Sequence, residues 1–237
     1  MNQPFKFKEF TVHQDRCAMK IGTDSVLLGS WVGLKHNPFS ILDIGAGTGV
    51  LSLMLAQRSQ SELIDAIEID DAAYEQCVEN FETSPWADRL FCYHASLQEF
   101  TEEIDDKYDL IISNPPFYSE NYKSENNQRD IARFQDAMPF EHLVHSASQL
   151  LSEQGVFSVV IPFKEENTFI ELAKKVHLFP NRVLQVKGSP TSETKRSLIE
   201  FSFLQTELKK EFLTIETSRH QYTPEYIKLT KDFYLKM

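Results

Sequence analysis

Ser40-Ile41-Leu42-Asp43-Ile44-Gly45-Ala46-Gly47-Thr48-Gly49-Val50 is the stretch whose reading decides the fold. Its first five residues, Ser40–Ile44, form an apolar run that reads as a buried strand. Three glycines follow, spaced so that the chain can turn tightly and a ligand can approach bare backbone. Val50–Arg58 then reads as a helix, so strand, glycine loop and helix stand in the order that opens a βαβ unit. Outward from there the alternation continues. Leu63–Ile69 is the next strand and Asp71–Phe81 the next helix, with Asp70 as its cap. Arg89–Tyr93 and Tyr108–Ser113 are strands, Phe140–Leu151 a helix, Val156–Ile161 a strand and Glu165–His177 a helix. Such alternation implies a parallel sheet with helices on both faces. Two strands, Asn181–Val186 and Ser197–Gln205, then follow across the turn-rich Lys187–Ser192 with no helix between them. They pair antiparallel at the edge of the sheet. Thr223-Pro224-Glu225 reads as a helix start, with Thr as N-cap and Pro at the first helical position. The expectation is one α/β domain over residues 1–237: a doubly wound, mostly parallel seven-stranded sheet with an antiparallel edge hairpin.

Composition narrows the function. The net charge of −11 argues against nonspecific nucleic-acid binding over the whole surface. It leaves room for local basic groups: Lys6, Lys8, Arg16 and Lys20 near the start, Lys123, Arg129 and Arg133 mid-chain, and Lys187, Lys195 and Arg196 further on. No apolar signal segment opens the chain, and no run approaches the roughly 20 apolar residues a bilayer span needs. A cytoplasmic protein without membrane attachment is expected. Three cysteines without CxxC spacing, Cys17, Cys77 and Cys92, read as free thiols. His142 and His145 share a helix face, but no third ligand accompanies them, so no metal is expected. A monomer is the expected state. Tyr118–Ala137 lacks any period and reads as a mobile loop on the substrate side.

The glycine spacing selects among nucleotide-type ligands. A Gly-x-Gly-x-x-Gly fingerprint counted from Gly45 fails at Val50, which disfavours a nicotinamide-dependent oxidoreductase. The actual form, Asp43-x-Gly45-Ala46-Gly47-x-Gly49, resembles motif I of class I S-adenosylmethionine (SAM) methyltransferases. Glu68, with Ile69 beside it, ends the next strand about twenty residues on, where an acid can hold both ribose hydroxyls of an adenosyl ligand. Ser96 stands where methyltransferases of this class often carry an Asp that accepts the adenine amino group. A hydroxyl accepts too, but without charge.

Asn114-Pro115-Pro116-Phe117 follows the strand Tyr108–Ser113. The prolines fix two φ angles, lack N–H groups, and bias Asn114 to an extended backbone. The Asn114 side-chain oxygen and the Pro115 carbonyl can each accept one N–H of a planar amino group. The nitrogen lone pair then gains character perpendicular to the ring, ready for in-line methyl transfer. Phe117 can stack on the base.

Together these motifs resemble an amino-directed SAM methyltransferase. Met19-Lys20-Ile21-Gly22-Thr23-Asp24-Ser25-Val26-Leu27-Leu28-Gly29, Lys195–Phe201 and Tyr222–Ile227 are similar to the bacterial tRNA1(Val) (adenine(37)-N6)-methyltransferase family. The resemblance implies methylation at N6 of an adenine in tRNA. It also implies that Gly22, Thr23 and Asp24, within an N-terminal segment 1–39, close over the methionine end of SAM. Thr23 or Asp24 can equally cap a helix Ser25–Val32. An anticodon-loop adenine is already unpaired or easily splayed out, so the basic groups named above need only grip phosphates. Asn-Pro-Pro-aromatic also serves enzymes acting on a release-factor glutamine or an rRNA guanine. Those often have an added N-terminal domain, and only 39 residues precede the first strand here. A SAM- or RNA-binding module without catalysis is the other alternative.

Overall fold

A computed structural model of the protein describes residues 3–116 and 139–237. Phe117, Lys123, Arg129, Arg133 and the segment Tyr118–Ala137 lie outside the described residues.

The central sheet grows from apolar runs whose alternate side chains enter two cores. β3 (Ser40–Ile44), β4 (Leu63–Glu68), β5 (Leu90–His94) and β6 (Tyr108–Ser113) are mutually parallel. Ile41, Ile64, Leu110 and Ile112 pack on one face, and Leu42, Ile44, Ile67 and Ile111 on the other. This is the period of two expected of strands buried on both sides. α1 (Thr23–Trp31) and α2 (Val50–Arg58) supply Leu27, Leu28, Leu53 and Met54 to the first core. α5 (Phe140–Leu150) and α6 (Glu166–Lys175) supply Leu143, Val144 and Phe169 to the second. α3 (Asp71–Glu82) follows β4, and α4 (Leu97–Glu103) follows β5.

β7 (Leu151–Pro162) pairs parallel to β6, and β9 (Thr194–Ser202) lies antiparallel between β7 and β8 (Phe179–Lys187). β10 (Lys209–Thr214) adds parallel to β8. The order β10-β8-β9-β7-β6-β3-β4-β5 makes eight strands where seven were expected. The β8–β9 hairpin forms, but β10 takes the sheet margin beyond it. β10 escaped the sequence reading because Lys209, Lys210 and Glu211 mask its alternation and Leu213 is its one buried residue. Charge on an edge strand also discourages pairing with another chain. α4 was not expected either. Ser96 and Glu99 form a reciprocal capping box at its start, a pattern readable in the sequence as Ser-x-x-Glu.

At the chain ends, β1 (Phe5–Lys6) pairs with β2 (Thr11–Val12). Phe7 bridges to Tyr234, just beyond α7 (Pro224–Thr230). Thr223 caps α7 through Tyr226 N–H, with Pro224 at its first position. α1 starts two residues earlier than expected. Gly22 is its N-cap, so neither Thr23 nor Asp24 caps it. The three cysteines are free. Among the described residues no helix is long and apolar enough to cross a membrane, and no three His, Cys, Asp or Glu side chains converge as metal ligands.

Candidate active site

The strand order reverses between β3 and β6, from which successive strands run outward in opposite directions. Loops leaving the carboxyl ends of two such strands part and open a crevice, the usual ligand position of open α/β sheets. Ile44 pairs with Ser113, and Ser113 Oγ donates to the Ile44 carbonyl at 2.9 Å. The residues that follow are Gly45 on one side and Asn114 on the other.

Gly45, Gly47 and Gly49 have φ of +73°, +55° and +75°. The three serve different ends. A Cβ on Gly45 or Gly47 would meet nothing within 4 Å, whereas one on Gly49 would stand 2.5 Å from the Phe81 ring and 2.8 Å from Cys77 Sγ. Gly45 and Gly47 thus border open space, and Gly49 is where the loop packs on α3. Across the mouth, Glu68 Oε2 accepts Gly47 N–H at 2.7 Å, and Oε1 accepts the N–H groups of Ile69 and Asp70, both at 2.9 Å. The carboxylate is therefore rigidly presented beside the loop. Asp70 caps α3 through Ala73 N–H, as expected, and Ile69 is 60% exposed.

Asp43 is fully buried beneath the loop. Its Oδ2 accepts Ser52 N–H at 3.2 Å and Ser52 O–H at 2.8 Å, while Oδ1 has no partner among the described residues. Burial pushes its pKa up to about 7 against the lowering effect of the Ser52 bonds, with the Glu68 charge adding to the rise. Ser96 Oγ donates to Glu99 Oε2 at 2.7 Å and accepts Glu99 N–H. A hydroxyl with its proton and one lone pair so engaged keeps one acceptor site.

On the other side, Asn114 Nδ2 donates to Ser25 Oγ at 2.8 Å. Ser25 was not among the site residues expected from sequence, because nothing there joins α1 to the end of β6. Next to it, Asp24 Oδ2 accepts from Arg196 Nε at 2.7 Å. A residue expected at the cofactor and one expected at RNA are thus one ion pair. Gly22 and Thr23 are exposed at the start of α1. Arg16 pairs with Glu75 at 3.1 Å and also with Glu79, and Lys8 Nζ donates to the Lys231 carbonyl. Lys6 lies on β1, and Lys20 and Lys195 are exposed.

The residues fit an adenosyl ligand on three counts: an open glycine cradle, an acid held across it, and an unpaired buried carboxyl oxygen below it. Fold and site together define a Rossmann-like methyltransferase. Residues 18–179 match the family model described as the Methyltransferase small domain. Among solved structures, a predicted O-methyltransferase from Agrobacterium tumefaciens has a TM-score of 0.69 at 20% identity, covering 89% of this chain and 96% of that one. A methyltransferase from Pyrococcus furiosus has a TM-score of 0.51 at 23% identity, covering 70% and 75%. The tRNA1(Val) (adenine(37)-N6)-methyltransferase of Flavobacterium johnsoniae is 64% identical over 98% of this chain and 100% of its own length. The protein of the same name from Bacteroides fragilis is 45% identical over the full length of both. The chain belongs to the tRNA1(Val) (adenine(37)-N6)-methyltransferase family.

Proposed function

We propose that this protein transfers a methyl group from SAM to N6 of adenine 37 of tRNA1(Val), releasing S-adenosylhomocysteine. The observation that carries this reading is the Ile44–Ser113 register, which sets the glycine loop beside Asn114 at the switch point. When bound, SAM supplies an activated methyl group on a sulfonium sulfur. Gly45, Ala46 and Gly47 would hold it with bare backbone, Glu68 would take ribose hydroxyls, and Ile69 would lie on the adenine ring. The remaining lone pair of Ser96 would take the adenine amino group, and the buried Asp43 would support the loop from below through Ser52. Gly22, Thr23 and Asp24 would border the methionine end.

On the acceptor side, Asn114 Oδ1 and the Pro115 carbonyl would accept the two amino N–H groups of the target adenine. This fixes the amino plane and turns the lone pair out of ring conjugation. Phe117 would stack on the base. No strong base is needed, because the N–H becomes acidic as the nitrogen is alkylated. Lys6, Lys8, Arg16, Lys20, Lys123, Arg129, Arg133, Lys195 and Arg196 are the pool from which phosphate contacts are drawn.

Mass spectrometry of tRNA nucleosides from cells with and without the gene tests the reading. Loss of N6-methyladenosine from tRNA1(Val) is expected in the deletion, and an unchanged level overturns the assignment. Labelled SAM offered with tRNA, ribosomes and a release factor identifies the acceptor. Label in ribosomes or protein rather than tRNA rejects adenine 37.

A further inference from the structure

The inward face of α3 carries two carboxamides one turn apart, Gln76 and Asn80, with 1% and 0% of their surface exposed. Neither packs as an apolar residue would. Asn80 Oδ1 accepts His13 N–H at 2.8 Å, and its Nδ2 donates to the carbonyls of His13 and Thr48, both at 2.9 Å. Gln76 Oε1 accepts Arg16 N–H at 2.8 Å. Thr48 lies between Gly47 and Gly49, so the Asn80 amide joins the glycine loop directly to an N-terminal strap. Further along, Ile21 N–H is held by Gln14 Oε1 at 3.0 Å, which closes the strap on itself before α1. The strap's far end lies near Glu68. Burial first, and then the charges of Glu68 and Asp70, push the Cys17 thiol up to about 12. Removing either carboxamide would take the side-chain partner from a half-buried strap amide and loosen the strap's hold on α3.

We propose that Gln76 and Asn80 are positioning residues for cofactor binding: they hold His13–Cys17 as a wall of the cofactor slot on the Glu68 side. Asn80 also sets the Thr48 carbonyl and hence the loop that carries Gly47. This rests on the reading of the slot as a SAM site. The two carboxamides touch neither SAM nor the reacting atoms.

The test uses the full chain and its Asn80→Ala, Gln76→Ala and Gln76→Glu variants. Circular dichroism and thermal melting confirm folding. Calorimetric titration with SAM gives Kd, and hydrogen exchange follows the amides of residues 13–17. With one to three hydrogen bonds lost, SAM Kd should rise ~10-fold or more in Asn80→Ala and ~3-fold or more in Gln76→Ala. Exchange at His13 and Arg16 should quicken in both and slow again on adding SAM. At saturating SAM, kcat should stay within about 2-fold of the parent, because Asn114 and Pro115 are untouched. Gln76→Glu keeps the acceptor for Arg16 N–H and should restore most of the affinity. A folded alanine variant that binds SAM with the parent Kd overturns the proposal. So does failure of both alanine variants to fold, which would make the carboxamides folding determinants only. A parent protein that binds no SAM would instead sink the cofactor reading itself.

Discussion

Asn114 donates its side-chain N–H to Ser25, and this fixes which end of the carboxamide is left to accept. An acceptor held in advance at the reacting amino group stabilises the transition state without reorganisation. Asn114→Ala should therefore lower kcat about 100-fold or more, as loss of a preorganised polar partner does, with SAM Kd unchanged by calorimetry. A kcat within a few-fold of the parent would remove Asn114 from the chemistry. Asp43 carries a prediction about pH. Its folded pKa, about 7, lies above the ordinary value of 3.8, so between these values the folded state binds more protons than the unfolded one. The stability linked to it is present below pH 4 and is lost as pH rises through 7. In the cofactor-free protein, the melting temperature of Asp43→Asn should gain on that of the parent between pH 5 and pH 8. A constant difference across that range would mean Asp43 is already charged at pH 5. The places of Asp70, Glu68 and Asn114 were legible in the sequence because each follows from a local pattern: a cap, a strand end, a proline turn. Ser25, Gln76 and Asn80 were not, since each acts through a contact dozens of residues away along the chain.

At the scale of elements, the glycine loop separates what folding requires from what a ligand requires. Gly49 has a positive φ and no room for a Cβ beside Phe81 and Cys77. Gly49→Ala should cost about 2–4 kcal/mol, combining backbone strain with overpacking, and show as a clear drop in melting temperature. Gly47 has the same hand of φ but open space at its Cβ position. Gly47→Ala should cost only about 1–2 kcal/mol, from the backbone term alone, while SAM affinity falls sharply because the added methyl group occupies the ligand's side of the loop. Equal melting losses in the two variants, or unaltered SAM binding by Gly47→Ala, would contradict this division. Elements with a strong period, such as β3, β4, β6 and α3, could be read from sequence to within a residue or so. The misses have physical causes. β10 hides its pairing under charge, and α4 is a seven-residue helix signalled only by its capping box. Leu151 reads as helical in the sequence because the chain passes from α5 into β7 without a loop.

For the whole molecule, the N-terminal segment touches both halves of the site. It reaches α3 through His13 and Arg16, β6 through Ser25, and β9 through Asp24. That arrangement changes what the cations can do for an RNA. A net charge of −11 leaves no general attraction, so binding must come from a few groups near the acceptor side. Lys195 stands at the start of β9 beside Arg196, whose strand partner Pro162 ends β7, the strand next to the one that delivers Asn114. Arg16 instead faces Glu75 and Glu79 on α3, and the bond to Glu79 is the main reason its guanidinium holds its proton more firmly than usual. A cation already paired with two carboxylates gains little by meeting a phosphate, since it must first give up those partners. Each phosphate contact releases counterions, so log KM for tRNA rises with log salt, and losing one contact lowers that slope by about 1. Lys195→Ala should therefore raise KM for tRNA and flatten its salt dependence by roughly one unit of slope, with kcat little changed. Arg16→Ala should leave the slope as it was. The opposite pattern, a flattened slope for Arg16→Ala and none for Lys195→Ala, would put the RNA backbone over α3 and the strap instead of beside the end of β7 and the start of β9.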